Sequence, residues 1–118
     1  MDLEQLVRNL WRDMDNKSWS KLPEYFSDTA AINWHNTNEC FSVQDFVLVN
    51  SKYPGEWRIT VKRLHSIGDI VISVAMVAPK NGGKSYHVTS FFEFSAGKIA
   101  VLDEYWGEDG NPPLWRPS

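Results

Sequence analysis

An α+β fold, with helices first and an antiparallel meander after them, is what this chain of 118 residues predicts, on three observations. Leu3, Leu6, Val7, Leu10, Trp11 and Met14 recur at helical spacing behind an acidic start. From Trp57 onward the turn signals Gly68-Asp69, Asn81-Gly82-Gly83 and Ser95-Ala96-Gly97 separate runs rich in β-branched and aromatic residues. The last of them divides His87-Val-Thr-Ser-Phe-Phe-Glu-Phe from Ile99-Ala-Val-Leu-Asp-Glu-Tyr-Trp-Gly, which reads as a hairpin of two long strands.

The elements follow in order. The opening segment is an amphipathic helix that packs one face inward. Trp19, Leu22, Tyr25 and Phe26 predict a second, shorter helix interrupted near Pro23, and Ala30 to Trp34 a short strand followed at once by a polar loop. Ser42-Val-Gln-Asp has the form of a helix N-cap with an acid at its third helical position, opening a helix through Val43, Phe46 and Val47 that Tyr53-Pro-Gly-Glu breaks. The meander comes next, and the tail Pro112-Pro113-Leu-Trp-Arg-Pro is expected to dock through Trp115 and Arg116.

Length and composition bound the function. A chain of this size suits one domain, residues 1–118, too small for separate cofactor and substrate domains. The net charge of −3, with basic residues scattered singly, lacks the footprint that phosphate backbones require, so nucleic acid is not an expected partner. No apolar run approaches membrane-spanning length. The lone Cys40 and an N-terminus carrying Asp2, Glu4 and Arg8 make a reducing cytoplasm the expected compartment. Six Trp in 118 residues is the compositional oddity. That much amphipathic aromatic surface suits a pocket or an interface as well as a core.

The final strand ends with acid beside aromatic: Asp103 and Glu104 precede Tyr105 and Trp106. Because strand side chains alternate faces, one of the two acids must point toward whatever the sheet covers.

This pattern resembles the nuclear transport factor 2-like superfamily and, within it, an uncharacterised bacterial subgroup of SnoaL-like domains. The resemblance spans nearly the whole chain. It rests on Tyr25-Phe26-Ser27-Asp28, Ile32-Asn33-Trp34-His35-Asn36-Thr37-Asn38-Glu39, Tyr53-Pro54-Gly55-Glu56-Trp57, His87-Val88-Thr89-Ser90-Phe91, and Asp103-Glu104-Tyr105-Trp106-Gly107 with Pro112-Pro113-Leu114-Trp115-Arg116. It implies a cone-shaped, cystatin-like fold in which N-terminal helices pack on a strongly curved antiparallel sheet around a cavity, often as a homodimer through the convex face. Relatives include ketosteroid isomerase, polyketide cyclases, a dehydratase and an epoxide hydrolase beside non-catalytic members, so the fold does not choose a reaction.

Ketosteroid isomerase pairs an aspartate base with a tyrosine and a protonated aspartic acid. Laid on this chain, the base position falls on Trp34, the protonated acid on Ser90 and the tyrosine near Leu10 or Trp11, so steroid isomerisation by that mechanism is disfavoured. The resemblance turns Leu102, Glu104 and Trp106 inward, and with them Tyr86, Val88, Ser90 and Phe92. His87, Thr89, Phe91 and Glu93 then face outward, where they suit an interface.

Glu104 is the candidate catalytic residue. Against Trp106 its carboxyl would be desolvated and its pKa raised toward the range of a general acid or base. The competing reading makes it a permanently ionised partner of Arg116 or Arg58 that ties the tail to the body. Trp34, Asn36, Asn38 and Glu39 form an expected binding rim at a strand end; Asn36, Asn38 and Glu39 equally suit bonds within their own loop. Tyr86, Ser90, Phe92 and Trp106 complete the candidate ligand-binding set. His35, His65 and His87 with Glu39 and Glu104 show no recognised metal-ligand spacing, and no metal or cofactor is expected. Cys40 reads as inert packing rather than a nucleophile. Tyr53 and Trp57 read as an ordered turn or a gate. The expected ligand is a small, partly apolar organic molecule. Two functions stand: a cofactor-independent isomerase, cyclase, dehydratase or hydrolase working by proton transfer, or a non-catalytic ligand-binding or dimerisation module.

Overall fold

A computed structural model describes residues 2–117. Helix α1 spans Leu3–Asp15 and is followed by a 3₁₀ helix at Trp19–Tyr25 and helix α2 at Val43–Lys52. The strands are β1 (Phe26–Trp34), β2 (Glu39–Phe41), β3 (Trp57–Ile67), β4 (Ile70–Pro79), β5 (Tyr86–Ser95) and β6 (Lys98–Glu108). They form one six-stranded sheet in the order β2-β1-β6-β5-β4-β3, with β1 parallel to β6 and every other pairing antiparallel.

Local chemistry explains the starts and stops. Asp2 accepts from the Gln5 backbone N–H and Ser42 from that of Asp45, so both α helices have side-chain caps, each contributing about 1 kcal/mol. Pro23 lies within the 3₁₀ helix, a short form that tolerates the missing donor where a long α-helix would break. Two departures from the expected elements concern strands. β1 begins at Phe26, four residues before the expected Ala30, because Phe26 already pairs with Ile99. Strand β2 lies inside what reads as a polar loop, held by Ile32 with Phe41 and Trp34 with Glu39. The tail also departs: Leu114 and Trp115 are exposed, and Arg116 stacks on Trp115 instead of reaching the body.

A bulge between Val61 and Arg63 and another between Glu93 and Phe94 bend the long strands, a device that adds local twist and curvature. The sheet curls without closing. Its concave face holds α1 through Val7, Leu10, Trp11 and Met14, packed with Val71, Ala75, Val88, Phe92 and Leu102. Faces alternate as the resemblance implied: Val88, Ser90 and Phe92 are fully buried, whereas Phe91 and Tyr105 stand on the outer face.

Candidate functional site

The strand register arranges the concave face in rows. Trp34 on β1 pairs with Glu104 on β6, Glu104 with Ser90 on β5, and Ser90 with Ser73 on β4. This row is polar among largely apolar core neighbours. Trp34 Nε1 donates to Glu104 Oε1 at 2.9 Å and Ser90 Oγ to Glu104 Oε2 at 2.8 Å, while Trp11 Nε1 donates to Ser73 Oγ at 3.1 Å. Glu104 is 2% exposed. Burial pushes its pKa up from 4.5 to about 7, against the opposing pull of the two donated hydrogen bonds from Ser90 and Trp34, which favour the ionised form. No arginine or lysine pairs with it among the described residues, so the expected ion pair with Arg116 or Arg58 is not formed.

Two residues further along β6, on the same face, Trp106 pairs with Val88, and beyond it Tyr86 pairs with Val77 and Val77 with Ile59. Here the sheet and helices part around a cavity of about 320 Å³. Five of the six tryptophans line it, namely Trp11, Trp19, Trp34, Trp57 and Trp106. Three of them, Trp34, Trp57 and Trp106, join Tyr53 and Tyr86 in a series of aromatic contacts. Tyr53 and Trp57 are 5.8 Å apart at 78°, Tyr86 and Trp106 6.4 Å at 78°, and Trp106 and Trp34 6.1 Å at 71°. Trp57 and Tyr86, 6.2 Å apart, join the two ends.

Asn36 fixes the position of Trp106. Its Nδ2 donates to the Trp106 carbonyl and its Oδ1 accepts from the Trp106 N–H, both at 2.7 Å, so the side-chain amide continues the β1–β6 pairing past the end of β1. Trp106 Nε1 is buried without a hydrogen-bond partner among the described residues. An unpaired buried donor costs about 1–3 kcal/mol, so this indole has a latent bond to offer a guest.

Of the sequence-derived candidates, Trp34, Asn36, Tyr86 and Trp106 line the cavity. Glu104 and Ser90 do not line it: they share the row of Trp34, one row deeper than Trp106. Phe92 is deeper still, packed edge-on against Trp11 at 6.5 Å, because each step of two residues along a strand moves a side chain about 7 Å. Asn38 lies in the exposed turn before β2 and Glu39 is the exposed first residue of that strand, where its Oε1 accepts from Thr37 Oγ1. The second wall went unread as a wall. Met14, Asp15, Asn50 and Ser51 come from helices, and Lys17 from the turn after α1, whose approach to the sheet leaves no mark in local sequence, whereas Tyr53 and Trp57 read as an ordered turn or a gate. The three histidines stay on the outside: His35 bonds Asp103 at 2.7 Å and stacks on Tyr105, His87 bonds Asp109, and His65 contacts Arg63. Cys40 is exposed.

No protein-family model and no curated protein matches the sequence. Solved structures do match. A candidate ketosteroid isomerase from Kribbella flavida superposes with a TM-score of 0.83 at 22% identity over 93% of this chain and 81% of its own. A nuclear transport factor 2-like protein of unknown function from Burkholderia xenovorans gives 0.83 at 18% identity over 95% and 88%. A protein from Catenulispora acidiphila with a ketosteroid isomerase-like fold, solved in complex with trimethylamine, gives 0.72 at 11% identity over 85% and 83%. The chain therefore has the nuclear transport factor 2-like fold that SnoaL-like domains share. At these identities the likeness is one of fold.

Proposed function

We propose that this protein binds a small, partly apolar organic molecule in the aromatic cavity. The observation that carries the reading is the cavity itself: about 320 Å³, walled by indoles held in place from behind, with few polar groups. That is the size and character of a small-molecule site. The trimethylamine complex of the Catenulispora protein supports it, since the same fold there holds a small organic guest. Titration with the neutral fluorophore N-phenyl-1-naphthylamine tests it. Saturable one-to-one binding is expected, and it is lost in Val77→Trp, which fills the cavity from β4, while circular dichroism shows the variant folded. Binding untouched by that substitution, or none at all, would overturn the reading.

A second reading, favoured by the Glu104 pKa near 7, makes that acid the proton carrier of a cofactor-independent isomerisation, cyclisation, dehydration or hydrolysis. A carboxyl poised there can both give and take a proton at neutral pH. Reaching a guest would require Trp34 or Trp106 to swing aside, because Glu104 is not on the cavity surface. The homodimer implied by the resemblance belongs to the same proposal. Exposed Phe91 and Tyr105, 6.0 Å apart on the outer face, would form part of its interface.

A further inference from the structure

From the chemistry of the cavity wall we infer the class of its ligand: an organic cation, such as a quaternary or tertiary alkylammonium, held on the faces of the aromatic rings and countered by Asp15. The inference rests on the binding role proposed above and specifies its substrate class.

Most of the wall's hydrogen-bond donors are already engaged, and the indole N–H of Trp106 is the buried one left without a partner among the described residues. The indole N–H groups of Trp11, Trp34 and Trp57 are spent on Ser73, Glu104 and the Pro54 carbonyl. Asn50 and Ser51 donate to the carbonyls of Phe46 and Leu48 within their own helix. Thr37 and both ends of the Asn36 amide are likewise occupied. The lining ammonium of Lys17 is held at 2.9 Å by Glu56 and is partly exposed, so the pair is close to neutral overall. An anionic guest would find no free cation on this wall among the described residues, and a carbonyl guest would meet neutral donors only.

What the wall does offer is negative. Rings that cross at 71–78° about 6 Å apart set successive walls at right angles, so that a guest can lie against more than one negative π face. Asp15 lines the same space, with Oδ1 accepting the Ile59 N–H at 2.7 Å and no cationic partner among the described residues. That backbone bond anchors the carboxylate where β3 passes α1. A desolvated cation gains from both features, whereas a neutral molecule of the same shape gains only from burial.

Choline and its uncharged isostere 3,3-dimethylbutan-1-ol differ only in the charged atom and test this directly. Binding is read from the indole N–H signals of the folded protein in two-dimensional NMR. We expect choline to shift the Trp57 and Trp106 signals with a Kd roughly tenfold or more below that of the isostere. Asp15→Asn keeps the acceptor for Ile59 and should reduce the preference for choline over the isostere severalfold. An isostere that binds as well as choline would overturn the cation assignment and leave the small-molecule role intact. Failure of choline, the isostere and the naphthylamine alike would overturn both.

Discussion

Trp34 and Glu104, 70 positions apart in sequence, are lateral neighbours on the parallel β1–β6 pair, and the indole N–H of one donates to the buried carboxylate of the other at 2.9 Å. The positions that the family resemblance aligns with an aspartate base and a protonated acid are Trp34 and Ser90, and both donate to Glu104. Glu104 stands on β6, the strand between those two positions. Its first consequence is for stability.

A carboxyl whose pKa is about 7 when folded and near 4.5 when unfolded binds its proton more tightly in the folded state. Stability should therefore be fully present below about 4.5 and fall as pH rises to about 7, then level off. A shift of this size corresponds to about 3 kcal/mol across the window. Glu104→Gln keeps an acceptor for Trp34 and removes the ionisation, so its urea stability should lose this slope and exceed that of the wild type at pH 8. Parallel pH profiles for the two proteins would contradict the assignment.

Removing the Trp34 donor alone should move the acid in a stated direction. In Trp34→Phe the ionised form of Glu104 loses one of its two hydrogen bonds, so its pKa rises above the wild-type value. Carboxyl-carbon NMR titration, with Glu104→Gln for assignment, reads this out. A fall in the pKa would mean that the opened wall admits water and that solvation outweighs the lost bond.

The β5–β6 turn holds a conformational defect open to repair. A two-residue hairpin loop of this kind places both central residues at positive φ, and here they are Ala96 at 51° and Gly97 at 77°. Alanine is ill suited to that region, where glycine and asparagine are at ease. Ala96→Asn should stabilise the protein by about 0.5–1 kcal/mol, seen as a higher thermal midpoint with unchanged ligand binding.

How far the sequence could be read follows from the range of the forces involved. Period-two alternation is local, and it correctly separated buried Ser90 and Glu104 from exposed Phe91 and Tyr105 once the resemblance gave an orientation. It also marked Trp34, Asn36, Tyr86 and Trp106, which line the cavity. Depth along a strand is not local. Phe92 and Tyr86 share a face, yet Phe92 abuts Trp11 and Tyr86 the cavity, because the level at which α1 parts from the sheet depends on long-range packing. The same limit hid Asp15, whose place beside the cavity depends on β3 passing α1. Strand β2 escaped for a different reason: three residues after a Thr-Asn turn carry too little pattern to be told from loop.

The outer face gives a separate prediction. If Phe91 and Tyr105 are covered in a homodimer, Phe91→Asp places a charge in that contact and should turn the protein into a monomer by analytical ultracentrifugation at micromolar concentration. A wild-type protein already monomeric at high concentration would remove the homodimer from the proposed function and leave the cavity unaffected.

Cation binding and the ionisation of Glu104 should be coupled, because the carboxyl lies only one row, roughly 7 Å, below the Trp106 wall. An ionised Glu104 attracts a cation in the cavity, so choline should bind more tightly as pH rises through about 7. By reciprocity, bound choline lowers the Glu104 pKa and releases protons near neutral pH. With a coupling on the order of 1 kcal/mol at that distance in a partly screened interior, the affinity gain between pH 6 and pH 8 is roughly three- to fourfold. Asp15 and Lys17 are the other charged lining groups. Isothermal titration in two buffers of different ionisation enthalpy measures the proton release. The neutral isostere should release none, and in Glu104→Gln the pH dependence of choline binding should vanish while binding itself persists. Proton release that survives Glu104→Gln would show that another group carries the coupling.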